Sequence, residues 1–137
     1  MLRQIICFFI LLGTFACNRT RPPEPMPEWL VRYLKQMDSE LRNVDSANGI
    51  DADEARAIAG VYMAEYLGIG CGAPGQAVLR NQIWIVGLRV GYAGTATGET
   101  IQVDSKTGGV WAQGGPCYSD FDSFHYSVLT DIRRRGR

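Results

Sequence analysis

The side chains with chemistry to offer gather near the C-terminus. His125 is the one histidine of the 137-residue chain, and Tyr118, Ser119, Asp120, Asp122 and Ser123 stand just before it. Serine, histidine and carboxylate are the parts of a nucleophilic hydrolase, and a histidine with an aspartate can serve as base and acid in a dehydratase. No serine here sits in the turn that marks a nucleophile elbow. Asp120 and Asp122 are expected to serve a turn and a helix cap instead. Asp51, Asp53 and Glu54 form a second carboxylate group, which the favourable field at a helix N-terminus explains. A calcium loop would need more oxygen ligands at fixed spacing. No catalytic set is therefore expected. A small hydrolase or dehydratase using a concave sheet as its pocket, with His125 and Asp120 or Asp122, stays open as the alternative.

Four cysteines carry the next signal. Arg3, the apolar run 5–12 and the small residues Gly13, Thr14 and Ala16 have the layout of a signal peptide over residues 1–16, with an apolar run too short to cross a bilayer. Ala16-Cys17 resembles the end of a bacterial lipobox, in which the cysteine becomes the lipidated first residue. Phe15 and Thr14 are unusual for that motif, so plain secretion remains an alternative. Asn18 resembles the residue that lets such lipoproteins proceed to the outer membrane. Residues 17–27 are polar and proline-rich, a composition that stays extended and reads as a tether. Cys7 would leave with the leader and Cys17 would carry lipid. Cys71 and Cys117 then remain as a pair in an oxidising compartment, where a disulfide is expected. It would close a loop of about 46 residues, for roughly 4 kcal/mol of stabilisation. A zinc site would need further ligands, and only His125 is at hand, so no metal is expected.

The elements that position these residues fill a single domain, 28–137. Trp29, Leu30, Tyr33, Leu34, Met37, Leu41 and Val44 recur at helical spacing over 28–44. Asp51 with Glu54 gives a capping box for a second helix, whose stripe is Ala55, Ile58, Ala59, Tyr62, Met63 and Tyr66, and Gly68 stops it. The run 68–75 reads as a glycine-rich loop. It is not a phosphate cradle, because it follows a helix and lacks the Lys-Ser/Thr ending. From Ala77 the period becomes two, with Trp84, Val86, Leu88 and Val90 inward and Arg89 on the opposite face. Residues 91–98 form a flexible connection, Thr100–Asp104 a strand with Gln102 outward, 105–109 a turn, and Val110–Ala112 the return. Residues 122–135 are expected to form a last helix. The fold expected is α+β, two N-terminal helices on a curved antiparallel sheet of three to four strands.

The helix 54–59, the strand Trp84-Ile85-Val86-Gly87 and the run Ile101-Gln102-Val103-Asp104-Ser105-Lys106-Thr107-Gly108-Gly109-Val110 carry a resemblance. Asp51 to Trp111 resembles the immunity-protein branch of the nuclear transport factor two-like fold. It is also similar to the PepSY domain of peptidase propeptides, which shares the helix, the tryptophan strand and the Val-Asp-x-x-Thr-Gly-x-Val hairpin. The resemblance implies a helix on a curved antiparallel sheet, cystatin-like or nuclear transport factor two-like. It implies a protein that neutralises a toxin in the first case and inhibits a secreted peptidase in the second. The cysteine pair and the aromatic stretch 118–126 belong to neither pattern.

Formal charge is zero, and removing residues 1–16 leaves 13 basic against 14 acidic residues. Such balance excludes nucleic acid as an expected partner, since phosphate binding needs a basic face. The basic tail Arg133, Arg134, Arg135 and Arg137 reads as a solvated end. The reading is a lipoprotein of the bacterial periplasm, held to the outer membrane by lipid. It would act without cofactor as a protein-binding module, an immunity or inhibitor protein against a toxin or peptidase. The expected contact residues are Arg89, Gln102, Tyr118, Phe124 and His125, with the loop 91–98. A structural envelope lipoprotein is the remaining alternative.

Overall fold

The computed structural model describes residues 25–68, 72–90 and 94–136. The leader, Cys17 and most of the tether lie outside them, as does Cys71.

Helix α1 spans Glu28–Leu41 and α2 spans Ala52–Tyr62; five strands follow, then helix α3 over Phe121–Arg135. The strands are β1 (Gly72–Arg80), β2 (Ile83–Val90), β3 (Thr95–Asp104), β4 (Gly108–Ala112) and β5 (Tyr118–Asp120), all antiparallel neighbours in chain order. The class is α+β, as expected, and the sheet has five strands where three to four were expected.

The extra strands arise where local signals were weak. The run 68–75 is not wholly loop, because β1 begins at Gly72 and pairs with Val90. Its hairpin with β2 turns on Asn81 and Gln82, both at positive φ (49° and 67°). A two-residue turn with both φ values positive matches the right-handed twist of the strands, but the usual partner of asparagine there is glycine rather than glutamine. The connection 91–98 likewise gives way to β3 at Thr95. Irregular register between Gly87 and Arg89 absorbs the extra residues.

Helix α2 begins as a capping box. Asp51 Oδ1 accepts from the backbone N–H groups of Asp53 (2.9 Å) and Glu54 (2.8 Å), and Glu54 Oε2 accepts from the N–H of Asp51 at 2.9 Å. Two of the orphan donors at the helix start are thereby satisfied. Past Tyr62 one π turn, Met63–Leu67, continues to Gly68 at φ 63°. Helix α1 stops at Leu41 rather than Val44, and Trp29 is 65% exposed, so it leaves the expected apolar stripe.

One core holds these parts together. Leu30, Met37 and Leu41 of α1, Ala55, Ile58, Ala59, Val61 and Tyr62 of α2, and Phe124, Val128 and Ile132 of α3 meet Val86, Leu88, Ile101, Val103 and Val110 of the sheet. Every one of those strand residues lies on the same face, because side chains alternate along a strand. The indole N–H of Trp84 donates to the carbonyl of Ile50 at 2.8 Å and closes the core at the start of α2. The β3–β4 turn is built on Asp104, whose Oδ1 accepts from the N–H groups of Lys106 and Thr107. Gly108 follows at φ 70°, and a Cβ there would lie 2.7 Å from that of Phe121, so only glycine fits.

Candidate interaction surface

All the helices cover one face of the sheet; the described residues put none on the other. On that outer face the register builds a row across four strands, in which Val78 faces Ile85, Ile85 faces Gln102 and Gln102 faces Trp111. Arg80, Ile83 and Asp104 form the next row. Val78 is 49% exposed, while Ile83, Ile85, Gln102 and Trp111 are half-buried against one another. Three aliphatic side chains and a tryptophan therefore stand together on a face over which the described residues place no helix. Soluble monomers seldom leave such a row uncovered. Arg80 supplies a cation at its border. Asp104 supplies an anion: burial pushes its carboxyl up, but the hydrogen bonds from Thr107 and Lys106 outweigh this and hold it below the usual range.

Two of the five expected contact residues belong to this face. Arg89 is exposed on β2, in line with Ile85 and Gly87, and Gln102 lies in the row itself. Gln102 also borders a hollow of about 200 Å³ shared with Glu99, Thr100 and Gln113. The other three sit on the helix side. Tyr118 is half-buried at the junction of β5, α2 and α3, where its hydroxyl donates to that of Tyr66 at 2.8 Å and lies 2.9 Å from Ser127 Oγ. Burial pushes the Tyr66 hydroxyl well above the ordinary tyrosine range. Phe124 is fully enclosed beneath Tyr62 and Tyr118, so it is core and offers no contact surface.

His125 stacks on Phe121 and faces α1. Its Nε2 is 3.5 Å from Asp38 Oδ1 but out of hydrogen-bond alignment. The hydrogen bond from Arg42 is the main reason that Asp38 is held below the usual carboxylate range. Asp120 is the N-cap of α3, accepting from the N–H of Ser123 at 2.8 Å and from Ser119 Oγ at 2.7 Å. Those bonds also hold its carboxyl low. An open groove of about 660 Å³ runs between α1, α2 and the start of β1, lined by Tyr33, Met37, Glu40, Asp53, Arg56 and Met63 among others. Neither this groove nor the smaller hollow touches His125, Asp120 or Asp122. Among the described residues, no three His, Cys, Asp or Glu side chains gather as a metal site. No described helix is long and apolar enough to cross a membrane.

Cys117 is exposed just before β5. The strands that follow Cys71 and Cys117, β1 and β5, are opposite edges of the sheet. The expected pairing partner, Cys71, lies outside the described residues.

Sequence reasoning placed the outward side chains of β2 and β3 but missed Val78 and Trp111 as their neighbours. The signal available was alternation in each run separately; the register that joins the runs is not local. No family model, curated protein or solved structure matches the chain.

Proposed function

We propose that this chain is a cell-envelope lipoprotein that works as a non-enzymatic protein-binding module, an immunity or inhibitor protein against a toxin or peptidase. The observation that carries the reading is the uncovered row Val78–Ile85–Gln102–Trp111. An apolar strip bordered by Arg80 and Asp104 suits another protein's surface better than a small molecule, which needs a concave site. In this reading the lipid sits on Cys17 and the tether 17–27 holds the domain at the periplasmic side of the outer membrane. The row then faces whatever toxin or peptidase enters that space. Resemblance to immunity and propeptide-inhibitor domains points the same way.

The test is capture of partners from envelope extract with the chain and with Ile85→Glu. The substitution lies away from the core, so the fold should persist. A charge in the middle of an apolar contact should weaken binding by about 2 kcal/mol, roughly thirtyfold. Recovery of a toxin or peptidase by the unaltered chain and its loss with Ile85→Glu supports the proposal. Undiminished capture by the variant, or no toxin or peptidase recovered at all, overturns it. Mass spectrometry of the mature N-terminus tests the anchor separately, with a diacylglyceryl group on Cys17 as the expected result.

A further inference from the structure

The described chain begins at Pro25, just ahead of the Pro27 N-cap of α1. Helices α1 and α3 run antiparallel, since Asp38 meets His125 toward one end of the pair and Leu30 meets Gly136 at the other. A Cβ on Gly136 would lie 2.8 Å from both Leu30 Cδ2 and Met26 Cγ, so the end of α3 stands against the point where the chain enters α1. Glu65 joins them there through Tyr33 and Arg135. The start of α1, the π turn and the end of α3 therefore form one end of the molecule.

An exposed indole and three exposed guanidinium groups gather at that end. Trp29, in the first turn of α1, is 65% exposed. Arg32, Arg133 and Arg134 are exposed as well. Arg32 lies 3.7 Å from Glu28 and Arg134 lies 3.9 Å from Asp131, while Arg133 has no ion pair among the described residues. Solvated pairs that loose hold their arginines weakly, so these can turn to another anion. Arg135 is neutralised by Glu65 and does not join them.

Tryptophan beside arginine is the chemistry of a bilayer interface, where the ring sits at headgroup level and cations are drawn to anionic lipid. The chain outside the described residues says which surface arrives here. Cys17 is eight residues ahead of Pro25. Eight residues reach at most about 29 Å, so a lipid on Cys17 keeps this end within that distance of a membrane. We infer that the end of the domain carrying Trp29, Arg32, Arg133 and Arg134 rests on a bilayer surface through anionic phospholipid headgroups. This rests on the lipoprotein reading, since the lipid on Cys17 brings the bilayer into reach. Alone the contact is weak; the anchor makes it effective by holding the two surfaces together. It also orients the molecule. Ile50, ahead of α2, bonds Trp84 and Ser105, and the row Arg80–Ile83–Asp104 lies beside it. The length of α2 and its π turn places that row roughly 20 Å further from the bilayer, where a protein can reach it.

Co-sedimentation with vesicles tests the contact, using the mature chain from residue 17 with Cys17→Ser so that no anchor contributes. Arg19 and Arg21 of the tether are the same in every variant. Vesicles of phosphatidylglycerol and phosphatidylcholine in equal parts should bind the chain about thirtyfold better than phosphatidylcholine alone. Arg133→Ala with Arg134→Ala should weaken binding to the anionic vesicles about tenfold, and Trp29→Ala should do the same. Arg42→Ala with Lys106→Ala removes equal charge from the opposite end and should change binding by less than about twofold, because salt screens charges held that far from the surface. All these side chains are exposed, and far-ultraviolet circular dichroism checks that each variant is folded. Equal binding to the two kinds of vesicle, equal losses from the two pairs of substitutions, or binding unmoved by Trp29→Ala overturns the proposal. Loss of a captured protein partner on Trp29→Ala, with vesicle binding intact, overturns it too. Lipid on Cys17 is read separately by mass spectrometry, so a missing anchor and a missing surface contact are distinct results.

Discussion

Glu65 keeps only 1% of its side chain exposed, yet it carries a carboxylate. It is held in the π turn that continues α2 by two partners: the Tyr33 hydroxyl of α1 donates to Oε1 at 2.6 Å, and the Arg135 guanidinium of α3 donates to Oε2. One side chain thus ties all three helices. Removing a partner from a buried carboxylate leaves it short of the hydration it gave up, which matters more than the attraction lost. Arg135→Ala should destabilise the fold by about 2–3 kcal/mol, less than for a wholly buried pair because the guanidinium is half exposed. Tyr33→Phe removes a neutral donor and should lose about 1 kcal/mol. Denaturant unfolding checks both, and equal effects would contradict this ranking. Nothing local in the sequence announces Glu65, whose partners are 32 and 70 positions away. Arg89 and Gln102 were legible as outward residues because alternation is a property of neighbours. Tyr118 and His125 were not, since helix packing decides what surrounds them.

The same division appears among the elements. Helix α2 was legible to its first residue because a capping box is contained within four positions. Asp51→Ala removes the acceptor for the backbone N–H groups of Asp53 and Glu54 and leaves the N–H of residue 51, which donates to Glu54, in place. It should lower stability by about 1–2 kcal/mol, seen as a lower Tm with unchanged helix content at low temperature. Asp51→Ser, which can still accept at the cap, should recover most of the loss. No change in Tm with Asp51→Ala would mean the cap adds nothing to α2. The β1–β2 hairpin was hidden by contrast. Gly72-Ala73-Pro74-Gly75 has a composition that avoids strands, and β1 exists there because α2 packs on it, with Gly60 close against Pro74. Asn81-Gln82 is a less common pair for a turn with both φ values positive. The β1 edge and the row through Val78 were lost to view with that hairpin. Tertiary contact overrode local preference.

Across the whole molecule, the class of fold was legible while the face that matters was not. Periodicity says that a strand has an inside and an outside; it does not say that all three helices choose the same inside. That choice concentrates the tyrosines on the helix side, and it has a consequence for stability against pH. Burial is the first cause that raises the hydroxyls of Tyr33, Tyr62 and Tyr66 above the ordinary tyrosine value. In the unfolded chain the same groups ionise near pH 10, at about the reference value. A group held protonated by folding contributes stability below its unfolded pKa and withdraws it as pH rises through and past that value. The fold should therefore be steady through neutral pH and weaken progressively above about pH 10. The carboxylates act in the opposite direction: Asp38, Asp104 and Asp120 are held low, so their share is present above the usual carboxylate range and fades as pH falls through it. These three are partly exposed, so water screens them and the acid effect should be the smaller. Alkaline titration followed by phenolate absorbance and by far-ultraviolet circular dichroism separates the cases. Phenolate from Tyr33, Tyr62 and Tyr66, assigned by subtracting single Phe variants, should appear only as the helix signal is lost. Ionisation of these three while the helices persist would mean that the helix side of the sheet admits water, and that the core is open where the structure closes it.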